Sequence, residues 1–299
     1  MTRATRMQRL QFAVEMAAVR VATVLTAPLS DAALISLAGR IGRLIGRYVP
    51  AARKRVEANL KLVRPDLTAA ERAEIAAEAG ASMCMWGAEY MRLASLAADP
   101  SLRHVEGGEH VRAAREAGRP ILFVTAHFGG WEFVRLAARD LGVETGILYR
   151  AFNNPDFDAH AQTLIKAAGE PVMHKGRQGS RALLRLIGKG GAAMILVDQR
   201  QTGAPLAPFL GRSAETSTAV AELAKRSGAA LIPACAVRVQ PGAEYHVRFE
   251  APVEVGDPLA AMAEVNARIG AWVEGRPGQW FWMHRRWRLS AGVTAPEDA

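Results

Sequence analysis

The sequence predicts an α/β fold: a mixed central sheet flanked by helices, preceded by an N-terminal helical region. Three observations lead there. Residues 121–125 form a short apolar run that ends in a glycine-rich turn. Runs of this kind alternate with helical patterns from about residue 103 onward, and an apolar, arginine-studded stretch comes before them.

The elements follow in order. Arg3, Arg6 and Arg9 lead into a largely apolar stretch, residues 10–29, which Glu15 and Arg20 interrupt. Those charges make it a poor membrane span and a poor signal peptide. Over residues 31–48, Leu34, Leu37, Ile41, Leu44, Ile45 and Tyr48 share one helical face beside a stripe of Arg40, Arg43 and Arg47. Such a helix suits a seat in anionic headgroups, and an ordinary core-facing helix carries the same pattern. We read residues 1–50 as a membrane-associating helical region closed by Pro50, and residues 51–299 as one α/β domain. Residues 53–63 are helical and Arg64-Pro65-Asp66 turns the chain. Thr68 and Glu71 form a capping box for one helix, or a pair broken near Gly80 or Gly87, that runs to residue 98. A helix over 109–117 stops at Gly118. Strands are expected at 121–125, 145–149, 192–197, 230–239 and 245–250, and helices at 131–141, 180–187, 217–227 and 259–274. The last two strands form a hairpin around Pro241-Gly242, which makes the sheet mixed.

Half of the 299 residues are hydrophobic, enough to bury a sizeable core. The formal net charge of +9 favours an anionic partner: a membrane, a phosphorylated lipid, an acidic protein or nucleic acid. Charge does not choose among them. Cys84 and Cys235 belong to no CxxC pair, which argues against a disulfide scaffold or a cysteine zinc site and for buried thiols.

The turn after residues 121–125 holds the chemistry. His127 stands just past a buried strand, and ligands of open α/β sheets gather at the carboxyl ends of strands. Gly129 and Gly130 permit a sharp bend and close approach of a substrate. Glu132, five residues after His127, is spaced to fold back and orient the imidazole as a general base. No G-x-S-x-G elbow is present, so a substrate hydroxyl is the natural nucleophile, and HExxH, the zinc pattern, is absent. By spacing alone the pair is a weak pattern, and a helix cap beside a solvated carboxylate is the commoner reading.

Ordered blocks add a resemblance. Thr125-Ala126-His127-Phe128-Gly129-Gly130-Trp131-Glu132 resembles the His–x4–Asp/Glu signature of the bacterial late lipid A biosynthesis acyltransferases, the lauroyl/myristoyl acyltransferase family, which is lysophospholipid acyltransferase-like. Residues 55–60, Tyr149-Arg150 with Asn153-Asn154-Pro155, and Leu196-Val197-Asp198-Gln199 are similar to further family blocks in the same order. So are Phe209-Leu210-Gly211-Arg212 with Thr216-Ser217-Thr218, and the segment from Gln279 to Trp287. The resemblance covers nearly the whole chain.

It implies a glycerol-phosphate-acyltransferase-like sheet and an O-acyltransferase at the cytoplasmic face of the bacterial inner membrane. The reaction it implies moves a fatty acyl group from an acyl carrier protein thioester to a hydroxyl of a lipid A precursor, with no covalent acyl-enzyme, cofactor or metal. In that scheme His127 is the base and Glu132 its orienter. Arg150 contacts a phosphate or the oxyanion, and Asp198, at a strand end, organises Arg150 or another cation. A basic residue expected beyond the Asn-Pro stretch is Lys166 here, to which we carry no role. Another membrane lipid as acceptor (a lysophospholipid, an ornithine lipid or a glycolipid) remains an alternative, as does a non-catalytic membrane-binding scaffold. Thr216 or Ser217 is expected to cap the next helix. His104, His110, His160, His174 and His246 are expected as surface residues and not as ligands. Trp280, Trp282 and Trp287 with Arg285, Arg286 and Arg288 suit packing or a membrane interface, and no nucleic-acid signature accompanies them.

Overall fold

The computed structural model describes residues 5–239 and 242–296. Five helices come first: α1 (Arg6–Thr26), α2 (Asp31–Tyr48), α3 (Pro50–Val63), α4 (Ala69–Met91) and α5 (Leu93–Ala98). Strands and helices then alternate as β1 (Arg103–Glu106), α6 (Gly108–Glu116), β2 (Ile121–Thr125), α7 (Glu132–Asp140), β3 (Thr145–Tyr149), α8 (Pro155–Lys166), β4 (Val172–His174), α9 (Arg177–Gly188) and β5 (Ala192–Leu196). The chain continues with β6 (Leu206–Phe209), β7 (Arg212–Glu215), α10 (Ala219–Ser227), β8 (Ala230–Val239), β9 (Glu244–Phe249) and α11 (Pro258–Gly275).

Seven strands form one sheet in the order β1-β9-β8-β2-β5-β3-β4, while β6 and β7 make a separate antiparallel ribbon. Every adjacent pair in the large sheet is parallel except β8 with β9. The expected late hairpin is therefore the one antiparallel step; Pro241 of its turn lies outside the described residues. Hydrophobic patterning passes over β1, β4, β6, β7 and α8, because the strands are four residues or fewer and α8 is largely polar on its exposed side.

All of β2 is buried, and its side chains alternate between two cores. Ile121 and Phe123 pack with α6 and α7, in a layer that also holds α2, α5 and α8. Leu122 and Val124 pack with α10 and α11, in a layer that also holds α3 and α9. Thr68 and Glu71 form the expected capping box at the start of α4.

The packing of α2 settles which of its faces is inward. Gly42 and Gly46 lie so close to α4 that a Cβ on either would overlap the backbone at Gly80 and Ala76. Small residues let the two helices touch along their backbones. Leu34 and Ile35 are buried, whereas Leu37, Ile41, Leu44 and Tyr48 are turned out to solvent, as are Met7, Leu10, Val14, Val21, Val24 and Leu25 of α1. No helix among the described residues is long and apolar enough to cross a membrane.

Topology marks one crevice. The chain leaves β2 through α7 on one face of the sheet and leaves its neighbour β5 through α10 on the other. The gap between the carboxyl ends of β2 and β5 is a topological switch point, where ligands of α/β sheets bind.

Candidate active site

His127 stands two residues past β2 and Asp198 two residues past β5, so both enter that crevice. One oxygen of Asp198 lies 2.8 Å from Nδ1 of His127, and the other accepts the His127 backbone N–H at 3.0 Å and the Trp280 indole N–H at 2.9 Å. The imidazole is half-buried and the carboxylate buried. Burial alone would raise the Asp198 carboxyl, but the His127 charge and these three donors outweigh it and hold the group below its ordinary value. An ionised Asp198 fixes the proton on Nδ1 and leaves Nε2 as the acceptor.

This corrects the expected roles of two residues. Asp198 is hydrogen-bonded to His127, not to Arg150. Glu132 makes no hydrogen bond to the imidazole; it is buried, with one oxygen taking the Tyr90 hydroxyl at 2.8 Å and the other Arg135 at 2.7 Å. The physical reason is Arg135, a wholly buried guanidinium one helical turn on, which needs a countercharge. Arg135 also donates to the carbonyls of Thr145, Ile165 and Gly169. Glu132 reaches the site indirectly. The Tyr90 hydroxyl also accepts the Trp131 indole N–H at 3.3 Å, and the Trp131 ring meets the His127 ring edge-on at 5.3 Å.

The two glycines do permit a close approach, but to the protein's own strand. Gly129 has φ +53°, and a Cβ there would overlap the Ala236 carbonyl of β8; one at Gly130 would overlap the Tyr245 ring. Gly130 N–H donates to Ala236 O at 2.9 Å and Gly129 N–H to Gln279 O at 3.0 Å. The Gly129 carbonyl accepts from the Trp86 indole and from Arg238, whose guanidinium is paired with Glu89 at 2.6 Å. Tyr245 also donates to Glu89, at 2.6 Å. Sequence reading missed this buried network, whose members come from α4, β8 and β9. Arg135, three residues after Glu132 on one helix, was detectable as an i,i+3 ion pair.

The C-terminal segment closes the site from beneath. Phe281 N–H donates to His127 O at 3.0 Å, and Trp280 bridges Phe128. Trp280, Trp282 and Trp287 are buried, and their indoles donate to Asp198, Pro277 O and Phe209 O. Arg286 is buried as well, donating to Glu215 O and Thr216 Oγ1, and burial pushes it down to about 10. The tryptophans and Arg286 are thus packed inside, while Arg285 and Arg288 are exposed. Thr216 serves Arg286 and Asn266, while Ser217 Oγ accepts the Ala219 N–H at the start of α10, at 3.4 Å; Thr218, at the cap position, makes no capping bond. His284 accepts the Arg200 backbone N–H on Nε2 at 2.8 Å, and burial lowers its pKa.

Arg150 directly follows β3, one strand beyond β5 and on the same edge as His127, about 10 Å across the sheet at the usual strand spacing. It is exposed and has no hydrogen bond or ion pair with the described residues. Asn154 caps α8 and ties it to α1 through Phe12 O and Glu15. An open groove of about 840 Å³ lies there, walled by Phe12, Ala18, Val19, Phe152 and Phe157. Lys166 pairs with Glu170 at the surface.

Residues 1–289 match the family described as bacterial lipid A biosynthesis acyltransferase. The chain is 29% identical over 262 residues to the lipid A biosynthesis lauroyltransferase of Escherichia coli K12, covering 83% of each protein. It is 28% identical over 266 residues to the palmitoleoyltransferase of the same organism, covering 85% of each. The solved 1-acyl-sn-glycerophosphate acyltransferase PlsC of Thermotoga maritima aligns over 81% of this chain and 97% of its own, at 12% identity and a TM-score of 0.36, too loose a likeness to bear on function. With a family match over residues 1–289 and two lipid A acyltransferase relatives that cover most of its length, the chain belongs to the bacterial lipid A biosynthesis acyltransferases and is an O-acyltransferase.

Proposed function

We propose that this chain transfers a fatty acyl group from an acyl carrier protein thioester to a hydroxyl of a lipid A precursor at the cytoplasmic face of the bacterial inner membrane. The observation that carries the reading is the Asp198–His127 pair, which leaves Nε2 free to take a proton. Nε2 removes the acceptor hydroxyl proton as the oxygen attacks the thioester carbonyl. The tetrahedral intermediate collapses with loss of the C–S bond, and the imidazolium returns its proton to the departing thiolate. Asp198 stabilises the imidazolium. Arg150, unpaired among the described residues and on the same edge, suits a phosphate of the acceptor or the oxyanion.

Surface charge supports an acidic donor partner. Lys175, Arg177, Arg181, Arg185 and Lys189 run along α9, exposed and without ion pairs to described residues. The ridge starts at the catalytic edge, where β4 ends, and an acidic carrier would be steered to it. Membrane association is supported on the opposite face of the sheet, where α1 and α2 expose their apolar rows. An amphipathic helix lying in the headgroup layer needs no span. The groove between α1 and α8 is a suitable entry for a lipid chain.

The test is an assay of detergent-purified protein with acyl carrier protein thioesters against a panel of lipid acceptors. Transfer to the lipid A precursor is expected. Preference for lysophosphatidic acid overturns the acceptor, and no transfer to any acceptor favours a scaffold.

A further inference from the structure

We infer that His104, Glu244 and His246 form a surface site for a divalent transition metal of the zinc type. The strand register brings them together. His104 of β1 lies directly opposite His246 of β9, and Glu244 is two residues earlier on β9, so all three share one side of the strand pair. The other side of β9 is its buried one, where Tyr245 stacks on Phe133 of α7. The trio therefore projects outward from the face opposite α7.

The geometry is compact. One Glu244 oxygen lies 2.8 Å from Nε2 of His104 and 4.0 Å from Nε2 of His246, and one ligand atom from each residue falls within 4.8 Å of the others. The two rings meet edge-on at 5.2 Å. Ligands each about 2.0–2.2 Å from one ion in a tetrahedral array stand about 3.4 Å apart, so small rotations of exposed side chains, opening the 2.8 Å pair and closing the wider separations, suffice to complete the set. The strands hold the Cβ positions, which limits the ordering cost of binding. Two imidazoles and one carboxylate select zinc-like ions over magnesium or calcium, which prefer all-oxygen shells. Three ligands leave a fourth position for water. A bound ion would replace the His104–Glu244 hydrogen bond and clamp the short edge strand β1 to β9. Its ligands stand on β1 and β9, three and two strands from β2, and the site requires no part in the His127 chemistry.

Tag-free, metal-stripped full-length protein in detergent would be titrated with zinc chloride by calorimetry and with cobalt chloride by visible absorption. One equivalent per chain is expected, with a rise in melting temperature on zinc addition. His246→Ala and His104→Ala should each weaken binding by at least about tenfold and abolish the melting shift, while His160→Ala should change neither. All are surface substitutions, and circular dichroism would verify the fold. Absence of uptake by the wild-type chain, or equal uptake by the His104 and His246 variants, would overturn the site.

Discussion

Asp198 grips His127 twice, accepting the ring Nδ1–H with one carboxylate oxygen and the backbone N–H with the other. Both the tautomer and the position of the ring therefore depend on one side chain. Asp198→Asn should lower kcat by about a hundred- to ten-thousand-fold while the chain still folds. His127→Ala should abolish transfer and leave membrane binding intact. Steady-state kinetics with circular dichroism would check both, and near-normal turnover in Asp198→Asn would remove Asp198 from the mechanism.

Glu132 gives a contrasting expectation. Its loss strands the buried Arg135 charge and frees Tyr90 and Trp131. Glu132→Gln should lower stability by about 3–5 kcal/mol and reduce activity with it, because the wall beside His127 loosens. Thermal melts and kinetics on one preparation decide the matter. A variant with wild-type melting and no activity would give the carboxylate a direct part in the chemistry.

Gly129 tests the turn itself. Alanine there meets both a positive φ and the Ala236 carbonyl. The backbone conformation alone costs about 1–3 kcal/mol, and the overlap adds to it. Urea unfolding should show a clear drop in the midpoint for Gly129→Ala, whereas Gly118→Ala, at a positive φ in open space, should lose only the conformational part.

Acid should find a weak point at Glu215. Burial opposes its ionisation, yet the Ser290 hydroxyl, Arg200 and the backbone N–H groups of Gly203 and Ser290 hold it at about 2, below its ordinary 4.5. A lowered carboxyl stabilises the fold fully above its unfolded value and loses that contribution as pH falls through the folded one. Stability should therefore decline between about pH 4.5 and 2. Glu215→Gln should flatten part of that slope, with Asp198 supplying some of the remainder. Denaturation midpoints across this range would show it.

The outer row of α2 predicts membrane affinity. Replacing Leu37, Ile41 and Leu44 together with Gln removes exposed apolar surface without touching the glycine contact with α4. Binding to anionic vesicles in a flotation assay should weaken by at least about tenfold, with unchanged melting. Equal flotation would argue that α2 does not meet the bilayer.

Local pattern alone determined the α/β class, the buried strand leading to His127, the capping box at Thr68 and the amphipathic face of α2. Each is written in neighbouring residues: an apolar run before glycines, a Thr–Glu spacing, a helical period. Only tertiary structure decided which carboxylate serves His127. The sequence points to Glu132 for that role and assigns Asp198 to a cation; a buried Arg135 claims Glu132, and the β2–β5 register delivers Asp198 to His127. The same holds for α2, whose exposed face follows from glycines meeting α4, and for the C-terminal tryptophans, buried because each indole finds an acceptor inside. His104 and His246 are remote in the chain and adjacent across one pair of strands. Sequence carries residue chemistry and local period, and contacts between distant segments exist only once strand order and register are set.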